Sequence, residues 1–370
     1  MRIRRIKPVK LRYTPEKGLA DGLAPIASRD VFLVQIETDE GITGIGEGFA
    51  LGSLHSMETI LEETVAPLVV GEDPFATARL WEKVYHFTYR YGRRGIVMAV
   101  LSAVDIALWD IVGKATGTPV YKLLGGSCNR VPAYASGGYY MPGKGLAELA
   151  REARTYKELG FGAMKMKIGA ASWQEDVARV QAVREAVGPE MKLAVDANNA
   201  YDLNAAVRMA RLLEPFDLYF FEEQLSGDCL EDSVRLAETT DIPIAGYETE
   251  LTRFALRDFI TRRAVDIVQT DAIWAGGLTE TRNIAVLASA WKMSCIPHFS
   301  AAAVSLAANL HLAAAMPNIP IIELTLDENP LRDELALEPI ERVGGELLVP
   351  ERPGLGIELN LDVVKKYLVQ

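Results

Sequence analysis

The chain has 370 residues, 49% of them hydrophobic, and carries 39 basic against 50 acidic side chains, a net charge of −11. That length exceeds one ordinary core and allows a large domain with a second beside it. The acidic balance leaves no electrostatic reason to bind nucleic acid or an anionic membrane surface, so an anionic substrate has to be attracted locally. The three cysteines, Cys128, Cys229 and Cys295, lie far apart, with neither metal-ligand spacing nor a disulfide framework. This fits a reducing, cytoplasmic setting. The N-terminal MRIRRIKPVKLRY lacks an apolar signal core, and no stretch reads as bilayer-spanning.

The first elements are β. IRRIKPVKLRY reads as a strand. DVFLVQIETDEGITGIGEG alternates apolar and polar residues around a turn at Asp39-Glu40-Gly41, which predicts a hairpin. Between them PEKGLADGLAPIASR, rich in Gly and Pro, reads as a long loop, of a length that is usually functional or disordered. From Ser56 to about Lys114 the pattern is helical, with Ser56 as an N-cap and Glu58 in the first turn. GIVMAVLSAVDIALWDIVGKATG predicts a strongly apolar helix ending at Gly117.

A second regime begins near Val131. VPAYASGG reads as a strand and GLAELAREARTYKELG as the helix after it. Short apolar runs then recur every 23 to 29 residues, closed in turn by Lys167, Asp196, Glu222, Glu248, Asp271 and His298. A run of four to six apolar residues predicts a buried parallel strand, and each gap holds one helix and two loops. IPIIEL is an eighth run, ended by Glu323. This spacing predicts a β/α barrel, whose functional groups project from the C-terminal ends of its strands. After it, LRDELALEPIERVGGELLVPERPGLGIELN predicts turns and short strands returning to the N-terminal part. The expected division is residues 1–125, 126–330 and 331–370.

Asp196, Glu222 and Glu248, three hard carboxylates on adjacent strand ends, suit Mg²⁺. Alternation predicts that Glu223 faces away from them, and Glu250 falls two residues too far on. Lys165 and Lys167 stand two apart on one strand, so both face the interior. Mutual repulsion and burial are expected to lower their pKa values, as a base near neutral pH requires. Asp271 beside His298 would fix the ring tautomer and raise the basicity of the other nitrogen. Glu323 can meet a substrate carboxylate if it is protonated or shares a proton. Asn198, two residues after Asp196, can orient substrate or a metal-bound water. These groups suit removal of a proton next to a carboxylate through a metal-stabilised enediolate.

KMK, VDANNAYD, FFEEQL, AGYETE, QTDAIWAGGLTE and CIPHFSAAAV, with the earlier ITGIGEG and SAVDIALWDIVGKATG, carry a resemblance along nearly the whole chain. The sequence resembles the mandelate racemase subgroup of the enolase superfamily. The resemblance implies a modified (β/α)7β barrel with an α+β capping domain built from both chain ends, and commonly a homo-oligomer. It implies Mg²⁺ on Asp196, Glu222 and Glu248, Lys167 as one base assisted by Lys165, and His298 with Asp271 as the other base or acid. It also implies Glu323 on the substrate carboxylate. Gln224 departs from the proline often found there. The KMK segment and the Asp/His pair argue against the muconate cycloisomerase and dipeptide epimerase subgroup. A small carboxylic acid is the implied substrate. Dehydration of an acid sugar to a 2-keto acid is the expected reaction, with racemisation or epimerisation as the alternative. A non-catalytic scaffold is opposed because each expected catalytic position is present. Specificity is expected from the loop Thr14–Arg29, with Lys17, Asp21 and Arg29, and from Phe49–Ser53. Arg93 and Arg94 read either as a second carboxylate site or as a solvated helix start.

Overall fold

The computed structural model describes residues 1–369. Its N-terminal sheet holds the strands Ile3–Tyr13, Arg29–Thr38 and Thr43–Ala50, antiparallel in that order. The 21-residue helix Ile96–Thr116 lies across this sheet and stops where Gly117 turns left-handed at φ 66°. Close approach is built into both partners. A Cβ added to Gly44, Gly46 or Gly48 would sit 2.2, 1.9 or 2.4 Å from the carbonyl oxygens of Ala107, Ala103 and Ala99. Residues two apart on a strand share one face, and residues four apart share one face of a helix. A glycine stripe therefore meets an alanine stripe, and Ile45 and Glu47 must face the other way.

By length and composition this helix could cross a membrane, contrary to the sequence expectation, but 83% of its most apolar window is buried inside the fold. Its apolar face all round is that of a core helix. The first helix starts at Leu54 after Ser53, not at Ser56. The loop Thr14–Arg29 is not structureless. Leu19–Ala20 pairs with Pro25–Ile26, and Ala20 bridges to Tyr140 at the barrel mouth.

The barrel strands are Arg130–Gly137, Ala163–Lys167, Lys192–Asp196, Leu218–Glu222, Ile244–Gly246, Ile267–Val268, Ser294–Cys295 and Ile322–Thr325. The first seven are hydrogen-bonded in order and parallel, and the eighth lies beside the first. Tyr134, Ala163, Ala194, Phe220, Ala245, Ile267 and Ile296 form an apolar floor inside the barrel. The outward faces of the strands pack against the surrounding helices in the main core.

After the eighth strand come a short helix, Pro330–Asp333, and a hairpin, Arg342–Val343 with Glu346–Leu348. The hairpin adds antiparallel to the first barrel strand. The chain then returns to the N-terminal sheet, where Leu368 bridges Leu11 and the Val369 amide donates to Lys10. Both chain ends thus complete one α+β unit over the barrel.

Candidate active site

The parallel register puts Lys167 opposite Asp196 and Asp196 opposite Glu222. Glu248, Asp271 and His298 do not close strands. Each lies two or three residues beyond one, where the ladder has ended and the chain bends toward the next helix. All six groups nonetheless reach the same end of the barrel, above the apolar floor.

Lys165 sits among carboxylates. Its Nζ is 2.6 Å from Glu222 Oε1, 3.0 Å from Glu323 Oε1 and 3.5 Å from Asp196 Oδ2. Lys167 Nζ is 2.5 Å from Asp196 Oδ2. Burial alone would lower both lysines, but the carboxylates outweigh it and hold both pKa values above the usual range. This reverses the sequence expectation, which weighed two ammonium groups against each other and burial without the acids around them. Glu323 differs in the same way. Burial favours its neutral form, yet Lys165 and His298 overcome this and lower its pKa, which runs against the shared or retained proton on which its expected contact with a substrate carboxylate depended. It also accepts from the Phe299 amide at 3.1 Å.

His298 Nδ1 is 3.0 Å from Asp271 Oδ2, and its Nε2 is 3.5 Å from Glu248 Oε1. Burial opposes the charged ring, but Glu248 and the Asp271 hydrogen bond raise its pKa to about 9. Asn198 donates its backbone N–H to Asp196 Oδ1 at 2.8 Å, while its own side-chain oxygen is buried without a partner.

Three side chains at this end carried no sequence signal of their own. Gln269 Nε2 donates to Glu222 Oε2 at 2.7 Å. Asn199 Nδ2 donates to Glu223 Oε2 at 2.8 Å, and Thr249 donates to Glu223 Oε1 at 3.2 Å. Glu223 lines the cavity and does not face away. The strand ends at Glu222 and Glu223 takes φ 40°, so the alternation no longer applies. Apolar neighbours could not have located these contacts, since each is made between different strand ends.

Lys167, Asn198, Glu223, Glu248 and His298 line one cavity of about 200 Å³, roofed by the Asp21–Ile26 turn and by Phe49 stacked on Trp274. Arg29 reaches this cavity, but its guanidinium is tied to Asp327 at 2.5 Å and to Ser300 at 3.1 Å. Lys17 does not line it. That side chain is exposed beside a separate hollow that includes Lys144 and Glu152. Arg94 pairs with Glu250 at 2.5 Å, which accounts for Glu250, and Arg93 lines another surface hollow.

The donor set fits a hard divalent cation. Asp196, Glu222 and Glu248 offer only oxygen, and one oxygen of Glu248 is buried without a hydrogen-bonding partner. Burial and mutual repulsion push Glu222 up to about 7 and hold Glu248 well above the usual carboxylate range, a strain that positive charge would relieve. Among the described residues no three acidic, histidine or cysteine side chains already form a closed cluster. Lys165 stands between Asp196, Glu222 and Glu323.

Residues 148–363 match the enolase C-terminal domain-like model, and residues 22–125 match the mandelate racemase / muconate lactonizing enzyme N-terminal domain. The chain belongs to the enolase superfamily. It is 45% identical to arabinonate dehydratase of Saccharolobus solfataricus over 99% of both chains. It is 35% identical to D-galactarolactone cycloisomerase of Agrobacterium fabrum over 90% of both. Among solved structures, a racemase from Streptomyces coelicolor A3(2) with bound magnesium superposes with a TM-score of 0.92 at 29% identity, covering 99% of this chain and 100% of that one. These enolase-superfamily relatives are lyases and isomerases, and this chain is an enzyme of the same kind.

Proposed function

We propose that the protein is a Mg²⁺-dependent acid-sugar dehydratase, which converts an aldonate or aldarate into a 2-keto-3-deoxy acid. One observation carries the reading: two proton-transfer groups, Lys167 and His298, enter a single small cavity from well-separated strands, with Glu248 in its lining and Asp196 against Lys167. The 45% identity to an arabinonate dehydratase over 99% of both chains supports dehydration over the other reactions of the superfamily. A cavity of about 200 Å³ suits a small acid and excludes an oligosaccharide.

Held by Asp196, Glu222 and Glu248, Mg²⁺ would neutralise these acids and stabilise the negative charge developing on the substrate carboxylate. Lys165, paired with Glu222 and Glu323, adds a fixed positive charge next to them. Lys167 Nζ and His298 Nε2 share the proton transfers. With Asp196 and Glu248 neutralised by a bound cation, the charge that holds both groups protonated would be offset, and one would take the proton from the carbon next to the carboxylate, the substrate's configuration there deciding which. The C3–O bond then breaks as His298 delivers a proton to the departing hydroxyl, releasing water. The resulting enol takes up a proton at C3 to give the 2-keto acid. Asp271 keeps Nδ1 occupied, so that Nε2 faces the cavity. The free oxygen of Asn198 is available to a substrate hydroxyl, and the Phe49–Trp274 stack excludes water from above.

A second reading is reprotonation at the same carbon, giving racemisation or epimerisation. The racemase relative favours it for a substrate without a β-hydroxyl. The test is a panel of five- and six-carbon aldonates and aldarates with Mg²⁺, read by 2-keto acid formation. Conversion that stops with EDTA is the expected result. A blank panel removes the dehydratase reading and leaves racemisation to be tested by hydrogen exchange next to the carboxylate.

A further inference from the structure

Behind His298 runs a buried polar chain that does not touch the cavity. Asp271 Oδ2 accepts from His298 Nδ1–H, and its other oxygen accepts from Asn309 Nδ2 at 2.9 Å and from the Ile273 amide at 3.1 Å. Asn309 Oδ1 in turn accepts from the Ala272 amide at 3.0 Å. One carboxamide thus holds both the Asp271 carboxylate and the backbone just after it. The other Nδ2 proton points toward Ser305 Oγ at 3.4 Å, four residues back on the same helix, Ala303–Ala315.

The start of that helix is held from the capping domain. Ala302 has no side chain able to cap it. Glu47 supplies the acceptors instead, with Oε1 3.0 Å from the Ala302 amide and Oε2 2.7 Å from the Ser305 amide. Strand alternation explains the reach. Gly44, Gly46 and Gly48 face the capping helix, so Glu47 faces the barrel. Glu47, Ser305, Asn309 and Asp271 are all essentially unexposed.

We propose that Asn309 is a positioning residue for His298, kept in place from the capping domain by Glu47. This rests on the reading of His298 as a proton-transfer group. A carboxamide suits the task because it offers a donor and an acceptor in one rigid plane. With Oδ1 of Asp271 tied by two N–H groups, Oδ2 is the oxygen left to hold Nδ1–H, and Nε2 is thereby aimed at the cavity. A hydrocarbon of similar size would fill the space but leave both Asp271 Oδ1 and the Ala272 amide short of a partner.

The experiment compares the full-length Mg²⁺-loaded wild type with Asn309→Leu and Glu47→Gln. Asn309→Leu is expected to lower kcat by about 10- to 100-fold, as loss of a supporting hydrogen bond commonly does, with KM held within about twofold. Glu47→Gln keeps one of its two acceptor sites and is expected to lower kcat by a smaller factor in the same sense. The second readout needs no turnover. With only four histidines in the chain, the ¹⁵N resonances of the His298 ring can be assigned, and Asn309→Leu is expected to shift its Nδ1 signal. If Asn309→Leu does not fold, Asn309→Ser takes the same two measurements. A normal kcat with an unshifted ring signal overturns the proposal, as does an equal change in kcat and KM that follows a fallen Tm. If wild type converts no acid on the panel, the functional reading fails, and the ring signal still decides whether Asn309 holds His298.

Discussion

At the residue scale, the groups gathered at the barrel mouth were legible because each was a polar residue placed where an apolar run stops. Lys167, Asp196 and Glu222 end their strands as read, and the structure brings them together with Glu248, Asp271 and His298. What the sequence could not show was charge balance. The lysines were expected to be depressed and are raised, because three carboxylates from other strands, Asp196, Glu222 and Glu323, surround them. Glu223 was read as facing away, which the end of the strand undoes, and Gln269 and Asn309 were missed for a related reason. Their partners lie on different elements, so no local pattern marks them. Replacing Lys167 with Ala or His298 with Asn is expected to lower kcat by about 10² to 10⁴ with an unchanged circular dichroism spectrum, the range general acid–base groups contribute. Glu248→Gln removes one anionic ligand and is expected to weaken Mg²⁺ binding in isothermal titration calorimetry. Lys17, by contrast, lines a different hollow. Steady-state kinetics of Lys17→Ala should show kcat/KM within about twofold of wild type, because distant side chains with no shared partner seldom couple.

At the element scale, pattern was informative where packing is repetitive and silent where it is not. The eight strands and the apolar helix Ile96–Thr116 follow from period and composition. The start of the first helix was misplaced by a few residues, because Ser53 and Ser56 both suit an N-cap. The glycines of TGIGEG look like strand breakers in isolation, and only the alanine stripe opposite them explains their spacing. Gly46→Ala places a Cβ 1.9 Å from the Ala103 carbonyl oxygen, so sheet and helix must part. Overpacking of this kind costs about 1–3 kcal/mol. Thermal unfolding should show a lower Tm, and an unchanged Tm would mean that the helix can shift without loss.

At the scale of the whole molecule, the barrel and its cap are joined by buried polar groups. His311, fully buried on the barrel helix Ala303–Ala315, accepts from the Tyr121 amide at 3.2 Å and pairs with the Leu355 carbonyl at 3.0 Å. It thus ties the barrel to the end of the capping segment and to the returning tail. Burial pushes this imidazole down to about 4, below its ordinary 6.5. The folded state therefore favours the neutral ring, and the unfolded chain binds a proton first as pH falls. The stabilising effect is complete above pH 6.5 and is lost between 6.5 and 4, up to roughly 3 kcal/mol. Measured from pH 7.5 to 4.5, the Tm of wild type should fall more steeply than that of His311→Gln. Parallel curves would show that His311 does not titrate in this way.

The most direct measurement is ¹H NMR of the enzyme with arabinonate or another converted aldonate in D₂O, with Mg²⁺ and then with EDTA. A Mg²⁺-dependent dehydratase yields a 2-keto-3-deoxy acid carrying one solvent deuterium at C3, and EDTA or Glu222→Gln abolishes the product. Exchange at the carbon next to the carboxylate with the β-hydroxyl retained, or conversion undiminished by EDTA, would contradict the proposed chemistry.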